Sequence, residues 1–250
     1  MIKKLFKFLI LTLILALGLG VAAQAFTDTT PSKSVLHPTE NVIYWADNDS
    51  SPARIMVYKR TTGNFTQNTT RSLPSGAKSY GMAVTPDGSK LYVGVAKGDD
   101  SAIQVYTLTN GIPSSSPSAT ITGPYFSVVP TASPTGMAIG GGNRLFVADQ
   151  GMGRVLVFNT SDDTYERAIT SGLGGLLSLT DVAVSSTSDT SYKVYVSRRV
   201  ASGKVFVYTY DAAADTYTDE SDITAGMISP TQLEVADGLL YVAVHGSSTS

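Results

Sequence analysis

A hydrophobic–aromatic–hydrophobic triplet recurs along the whole chain. Its five copies are Ile43-Tyr44-Trp45, Leu91-Tyr92-Val93, Leu145-Phe146-Val147, Val194-Tyr195-Val196 and Leu240-Tyr241-Val242. The central aromatic residues lie 48, 54, 49 and 46 positions apart. Aliphatic and aromatic residues of this kind favour β-strands, and a nearly constant period of this length is typical of stacked structural repeats. The chain is therefore expected to fold as repeats of one β unit.

Three more strand motifs accompany the triplets. A small-residue motif such as Gly81-Met82-Ala83-Val84 precedes the second to fifth triplets, and a motif such as Ile103-Gln104-Val105-Tyr106 follows the first four. A polar fourth strand is expected near residues 65–73, 118–122, 165–170 and 217–224. Four antiparallel strands per repeat are typical of β-propeller blades, which bury their faces against neighbouring blades. The sequence predicts an all-β propeller.

The blade boundaries follow from the motifs. Four complete blades are expected at about 33–74, 75–123, 130–171 and 176–225, with a partial fifth at 229–250. The third strand of the fifth blade would begin near residue 251. We therefore expect an incomplete or truncated propeller, whose unpaired edge would invite association.

The first 25 residues have the layout of a secretory signal peptide. Lys3, Lys4 and Lys7 precede an uncharged, mainly apolar run from Phe8 to Ala23, and Ala23-Gln24-Ala25 forms a cleavage site. A run of 16 residues is short for a membrane span, which needs roughly 20. We expect a secreted, periplasmic or cell-surface protein that begins at Phe26 and has no membrane span after cleavage.

Charge and cysteine content exclude several classes of function. Without the signal peptide the chain has 15 basic and 20 acidic residues, and no basic patch stands out. Nucleic acid is therefore not an expected partner. The absence of cysteine excludes a disulfide scaffold, a thiolate metal site and a cysteine nucleophile.

Two segments resemble known propeller repeats. Residues 86–93, Pro-Asp-Gly-Ser-Lys-Leu-Tyr-Val, resemble the YVTN-type repeat, and residues 134–158 resemble an NHL repeat. The resemblance implies membership in the broad superfamily of lactonase-like and gluconolactonase-like propellers. These motifs maintain the structure of a blade, so they support the predicted fold more strongly than any prediction of function.

The loops after the triplet strands form the predicted ligand-binding ring. The ring residues differ in chemistry from blade to blade, whereas the strands are alike; they are Asp47, Asn48, Lys97, Asp149, Gln150, Arg198, Arg199 and His245. Solvated loop tips are the simpler interpretation, and a mixed-charge binding ring is the alternative. His37, which precedes Pro38, is expected to be exposed.

Metal binding and catalysis have weaker sequence support. Asp47 and Asp49 open like a calcium loop, but Pro52 stands where that loop requires glycine, so Ca²⁺ or another divalent ion is a weak candidate. A gluconolactonase-type site needs converging acidic groups, to which Asp149, Asp181 and Glu234 could contribute. Neither histidine lies in a nucleophile motif.

Three functions remain open at this point. The first is a repeat scaffold that binds a protein, glycan or small molecule through one channel face. The second is a lactonase-like hydrolase with its site in the channel. The third is a surface or envelope spacer within a longer protein.

Overall fold

The computed structural model describes residues 31–61, 64–122, 126, 133–173, 178–185, 190–200, 202–224 and 227–244. This part of the chain forms nineteen β-strands and contains no helix. The strands assemble into five consecutive sheets in which neighbouring strands run antiparallel.

The first two sheets contain residues 31–122. The first has the order β1-β2-β3-β4, and its strands are β1 (Pro31–Leu36), β2 (Val42–Asp47), β3 (Arg54–Arg60) and β4 (Phe65–Ser72). The second sheet has five strands, which are β5 (Met82–Val84), β6 (Lys90–Val95), β7 (Ala102–Thr109), β8 (Ile112–Pro113) and β9 (Ala119–Ile121). Both β8 and β9 pair with β7, so β8 is a short addition to the four-stranded pattern.

The last three sheets follow the same plan. The third comprises β10 (Pro134–Gly140), β11 (Arg144–Asp149), β12 (Arg154–Asn159) and β13 (Thr164–Ile169). The fourth comprises β14 (Leu179–Val184), β15 (Ser191–Arg198), β16 (Lys204–Asp211) and β17 (Thr216–Asp219). The fifth contains β18 (Pro230–Ala236) and β19 (Leu239–Val244).

The first strands of the five sheets lie side by side around a central channel. Consecutive inner strands contact one another in the order β1, β5, β10, β14, β18. Lys33 on the first of them also reaches Asp181 on the fourth, so the series curves around a shared space. This arrangement is a β-propeller with four full blades and a two-stranded fifth within the described residues. The predicted fold and the order of its strands are confirmed.

The core lies between successive sheets, as the triplets predicted. The aromatic residues Tyr44, Tyr92 and Phe146 are completely buried. Each lies in an apolar cluster that combines its own sheet with the next one. Burying one large apolar side chain stabilises the fold by roughly 1.5–3 kcal/mol, so these layers hold neighbouring blades together.

Tyrosine hydroxyls add polar contacts to the same interfaces. The Tyr44 hydroxyl donates to the Gly111 carbonyl at 2.7 Å, and the Tyr92 hydroxyl donates to Asp163 Oδ1 at 2.6 Å. In both cases a triplet aromatic reaches the next sheet along the chain. Burial raises the pKa of both phenols, so they remain protonated donors.

Threonine hydroxyls connect the inner strands near their first residues. Thr135 Oγ1 donates to the Leu179 carbonyl of the next blade at 3.1 Å, and Thr180 Oγ1 donates to the Pro230 carbonyl at 3.0 Å. The pairing register of the inner strands shifts at these threonines, which indicates a β-bulge in each strand. The bulge redirects the residue that follows each threonine.

Candidate functional site

One position of the inner strand brings side chains from different blades to the channel. It immediately precedes the residue that pairs with the third member of the triplet. In the fourth blade, for example, Val182 pairs with Val196, so the position is that of Asp181. In blade order, its occupants are Lys33, Gly81, Gly136, Asp181 and Gln232. The first and fourth blades therefore carry opposite charges, and glycine occupies both blades between them.

Lys33 and Asp181 form an ion pair across the channel. Lys33 Nζ donates to Asp181 Oδ2 at 2.7 Å, and the two side chains are 14% and 2% exposed. Asp181 also accepts the backbone N–H groups of Val182 and Leu233, at 3.0 and 2.9 Å. Because the carboxylate is paired and hydrogen-bonded, it can remain buried.

The intervening glycines are required by close backbone approach. A Cβ on Gly136 would lie 2.3 Å from both Cα and Oδ1 of Asp181. A Cβ on Gly81 would lie 2.6 Å from the Thr135 carbonyl oxygen. A larger residue at either position would push neighbouring inner strands apart, so glycine keeps the channel narrow enough for the ion pair.

Glu234 is the third charged group at this site. It lies on β18 of the fifth blade and is exposed, although protein atoms surround its carboxyl group. Desolvation raises the pKa of Glu234; Lys33 lowers it and Asp181 raises it. We call Lys33, Asp181 and Glu234 the channel cluster. Among the residues that the structure describes, no hydrogen-bond donor contacts the Glu234 carboxylate.

The structure places two aspartates of the predicted ring at the last residue of a strand, where internal hydrogen bonds hold their side chains. Asp47 is 3% exposed and accepts hydrogen bonds from Arg54 Nε at 2.9 Å and Ser50 Oγ at 2.5 Å. Burial alone would raise the pKa of Asp47, but these hydrogen bonds hold it below its ordinary value. Asp149 is completely buried and accepts from Arg154 Nε at 3.0 Å. Burial raises the pKa of Asp149.

Other predicted ring residues also have structural contacts. Asn48 connects the first blade to the second through its side-chain amide. Its Nδ2 donates to the Ser79 carbonyl at 2.8 Å, and its Oδ1 accepts the Ser79 N–H at 2.9 Å. Lys97 pairs with Asp100 at 3.1 Å. The Gln150 N–H donates to the Ser133 carbonyl at 3.0 Å. These contacts orient the loops and leave the ligand-binding prediction for these residues untested.

The arginines lie at the end of the fourth blade's second strand. Arg198 is half-buried, and its Nε has no hydrogen-bond partner among the described residues. Arg199 is exposed, and its N–H donates to the Ser178 carbonyl at 2.9 Å. His245 lies outside the described residues.

The prediction for His37 is wrong, because its ring is 7% exposed and bonded on both sides. Nδ1 accepts the Thr39 and Glu40 N–H groups at 3.2 and 2.9 Å. Nε2 lies 3.1 Å from the Gly88 carbonyl and donates to it, since Nδ1 is an acceptor. His37 therefore fastens the first blade's hairpin turn to that of the second.

The described residues contain no group of three or more histidine, aspartate or glutamate side chains placed to hold a metal ion. At the weak calcium candidate, Asp47 directs both oxygens into its own turn, and Asp49 is exposed. Within the same residues, no helix is long and apolar enough to cross a membrane.

Lys33 is the site residue that the sequence analysis missed. The first blade has no small-residue motif ahead of its triplet, so its inner strand gave no signal. Aligning Pro31-Ser32-Lys33 with Pro134-Thr135-Gly136 places Lys33 in register with the channel position. That alignment could have identified the residue, although not its partner.

No protein-family model matches the chain, and no curated protein matches it. Solved structures do resemble it. A protein from Lactobacillus plantarum has a TM-score of 0.65 at 16% identity, over 86% of this chain and 64% of that one. A 6-phosphogluconolactonase-like protein from Bacteroides uniformis has a TM-score of 0.58 at 13% identity, over 88% and 80%.

The WD40 repeats of RRP9 are also similar, with a TM-score of 0.54 at 13% identity over 78% of this chain and 52% of that one. This chain spans about half the length of the first solved structures that it matches. At these identities the likeness supports the propeller fold alone. The finer resemblance to YVTN and NHL repeats stays a prediction.

Proposed function

We propose that this protein is a secreted β-propeller that binds a small polar ligand in its central channel. The observation that supports this most directly is the channel cluster, in which Lys33, Asp181 and Glu234 come from three different blades. A packed structural core would place apolar residues at these positions. Ligands commonly bind where a few polar groups converge in a concave part of a fold.

Calorimetric titration with three probes of different charge tests this proposal. The probes are cadaverine, glucose and gluconate, which are cationic, neutral and anionic. We expect saturable binding of at least one probe, which Glu234→Gln weakens. Asp99→Asn is the matched control, because Asp99 is an exposed acid in the loop between β6 and β7, outside the cluster. Absence of saturable binding by all three probes would overturn the proposal.

A lactonase-like hydrolase is the second candidate. Two of the similar solved structures are 6-phosphogluconolactonase-like proteins. In addition, desolvation raises the pKa of Glu234 while the Lys33 ammonium acts on it electrostatically, which suits a general base that activates water. Hydrolysis of glucono-δ-lactone, followed by proton release at constant pH, tests this function. Turnover that exceeds the spontaneous rate and is lost in Glu234→Gln would support it; an unchanged spontaneous rate would exclude it for this lactone.

Secretion is part of the proposal and rests on the sequence of residues 1–25. Expression in a bacterial host with a Sec system, followed by N-terminal sequencing of the exported protein, tests it. We expect the mature chain to begin at Phe26. Ala25→Arg should block processing at this site, since small residues are required there. Recovery of the uncleaved chain from the cytoplasm would contradict secretion.

A further inference from the structure

The second blade departs from the repeat at the end of its second strand. In each four-stranded blade, the last residue of the second strand pairs across the sheet with the first residue of the third strand. The pairs in the other such blades are Asp47 with Arg54, Asp149 with Arg154, and Arg198 with Lys204. In the second blade the pair is Val95 with Ala102. Two small apolar side chains therefore lie where the other blades carry two charged ones.

A cavity of about 270 Å³ opens at this pair. Val95 and Ala102 line it together with Pro74, which lies in the connection from the first blade. Val95 also belongs to the apolar cluster that joins the first two blades, so the cavity lies between two blades whose strands are all described. Small-molecule sites range from about 300 to 1,000 Å³, so this volume suits a single small ring.

Uncharged polar side chains complete the lining of the cavity. Gln104 on β7 pairs directly with Thr120 on β9, and both lie on the face of the sheet that carries Ala102. The Tyr106 hydroxyl donates to Gln104 Oε1 at 2.9 Å, which orients the amide. Among the described residues, the Gln104 amino group and the Thr120 hydroxyl have no hydrogen-bond partner. These two groups can therefore exchange hydrogen bonds with a ligand.

The charges at the rim of the cavity favour a neutral ligand. Asp99 and Asp100 are exposed to water, and Asp100 already pairs with Lys97 at 3.1 Å. Because solvent screens exposed charges, these carboxylates attract a cation only weakly. None of the described residues that line the cavity is basic, so an anion would meet carboxylates without a compensating charge.

We propose that this cavity binds a single neutral sugar ring, at a site outside the channel cluster and beyond the proposed channel function. The carbon-bound hydrogens of the ring pack on Val95, Ala102 and Pro74. Its hydroxyls exchange hydrogen bonds with Gln104 and Thr120. A fully apolar ligand would instead desolvate these two polar groups without giving them partners, which is unfavourable. The ring can belong to a free monosaccharide or to the end of a glycan.

Calorimetric titration with glucose, galactose and mannose tests the cavity. We expect saturable binding of at least one of the three sugars. Ala102→Leu fills the cavity and should abolish that binding. Thr120→Val removes the hydroxyl at nearly constant shape and should weaken it about three- to tenfold. Thr107→Val is the matched control, because Thr107 is an exposed threonine of β7 that does not line the cavity, and its affinity should equal that of the unmodified protein.

Two further variants test the chemistry of recognition and do not enlarge a buried side chain. Gln104→Glu keeps an acceptor for the Tyr106 hydroxyl but removes the amino group, so it should also weaken sugar binding. Asp99→Asn keeps an acceptor oxygen and removes only the charge, so it should leave the affinity for a neutral sugar unchanged. Weaker binding in Asp99→Asn would show that charge recognises the ligand, and the neutral-sugar assignment would then be wrong.

The remaining outcomes separate this site from the channel. Sugar binding that persists in both Ala102→Leu and Thr120→Val would overturn the cavity site. If Glu234→Gln abolishes that same binding, the sugar occupies the channel instead. Absence of saturable binding by all three sugars would overturn the cavity site and leave the channel proposal to its charged probes. When a sugar does bind the cavity, equal affinity for its methyl glycoside supports a glycan end, and loss of affinity supports a free monosaccharide.

Discussion

Lys33 Nζ lies 2.7 Å from Asp181 Oδ2, although the two residues are 148 positions apart in the sequence. The contact joins the inner strands of the first and fourth blades, and it exists because Gly81 and Gly136 place no side chain between them. The ion pair therefore depends on the missing side chains of two glycines as well as on the charged side chains of Lys33 and Asp181.

Gly136→Ala should destabilise the fold and disrupt the ion pair. The new Cβ would lie 2.3 Å from the backbone of Asp181, and overpacking of this kind typically costs about 1–3 kcal/mol. Urea denaturation measures the loss. Gly76→Ala is the comparison, because its Cβ meets nothing within 4 Å and only its positive φ of 78° opposes the change. Equal losses in the two variants would show that crowding at Gly136 is relieved by movement.

Asp47 and Asp149 should contribute to stability with opposite pH dependence. The folded-state pKa of Asp47 is lowered, so Asp47 stabilises the fold above its unfolded pKa of about 3.9 and loses that contribution as the pH falls. Asp47→Asn should therefore reduce the free energy of unfolding by about 1–2 kcal/mol at pH 7, and less at pH 3.

The pKa of Asp149 is raised instead, so its contribution is greatest below the unfolded pKa and decreases as the pH rises through the folded value. The unmodified protein should gain stability relative to Asp149→Asn on acidification. Denaturation midpoints for the two variants between pH 3 and 7 measure both trends. Parallel curves for the two variants would refute the assignment.

Tyr44→Phe should lower the free energy of unfolding by about 1–2 kcal/mol, because it leaves the buried Gly111 carbonyl without its 2.7 Å donor. The ring and its packing are retained, so the loss reports the hydroxyl. Tyr80→Phe, at an exposed ring, should change stability by less than about 0.5 kcal/mol. Similar values for both variants would show that water replaces the lost donor.

Thr180→Val should loosen the fifth sheet from the fourth. The change keeps the shape of the side chain and removes the hydroxyl that donates to the Pro230 carbonyl at 3.0 Å, at a cost of about 1 kcal/mol. Amide hydrogen exchange should become faster in β18 and β19. Thr231→Val is the control, because Thr231 donates to Ala243 within its own sheet. Unchanged exchange in Thr180→Val would argue that apolar contacts alone hold the fifth sheet.

The repeating features of the fold were predictable, and the individual contacts of the site were not. The triplets located the second strand of every blade because their apolar pattern reports burial directly. A sequence cannot show that Arg54 and Arg154 pair with Asp47 and Asp149 from the facing strand. His37 appeared exposed because nothing local reveals a bond to Gly88 in the next blade.

Glu234 lay between these cases. In the sequence Glu234 alternates with core residues, so the pattern does not show which face of the strand carries its side chain. A single charged residue in an apolar strand fits a buried face or an exposed one. The register with Tyr241 decides the matter, because it places Glu234 on the face that Ala138 occupies opposite Phe146 in the third blade. Residue types therefore located the candidate, while strand pairing gave its surroundings.

The threonine bridges between inner strands have a mechanical consequence. They join the third blade to the fourth and the fourth to the fifth. The second blade carries Tyr80 at the equivalent position, with its ring turned to solvent. Sliding of the second blade against the third would therefore meet less resistance at the axis than sliding at the two later joints. A load that bends the row of inner strands would concentrate at that joint, where Gly81 faces Thr135, and would change the width of the channel there first.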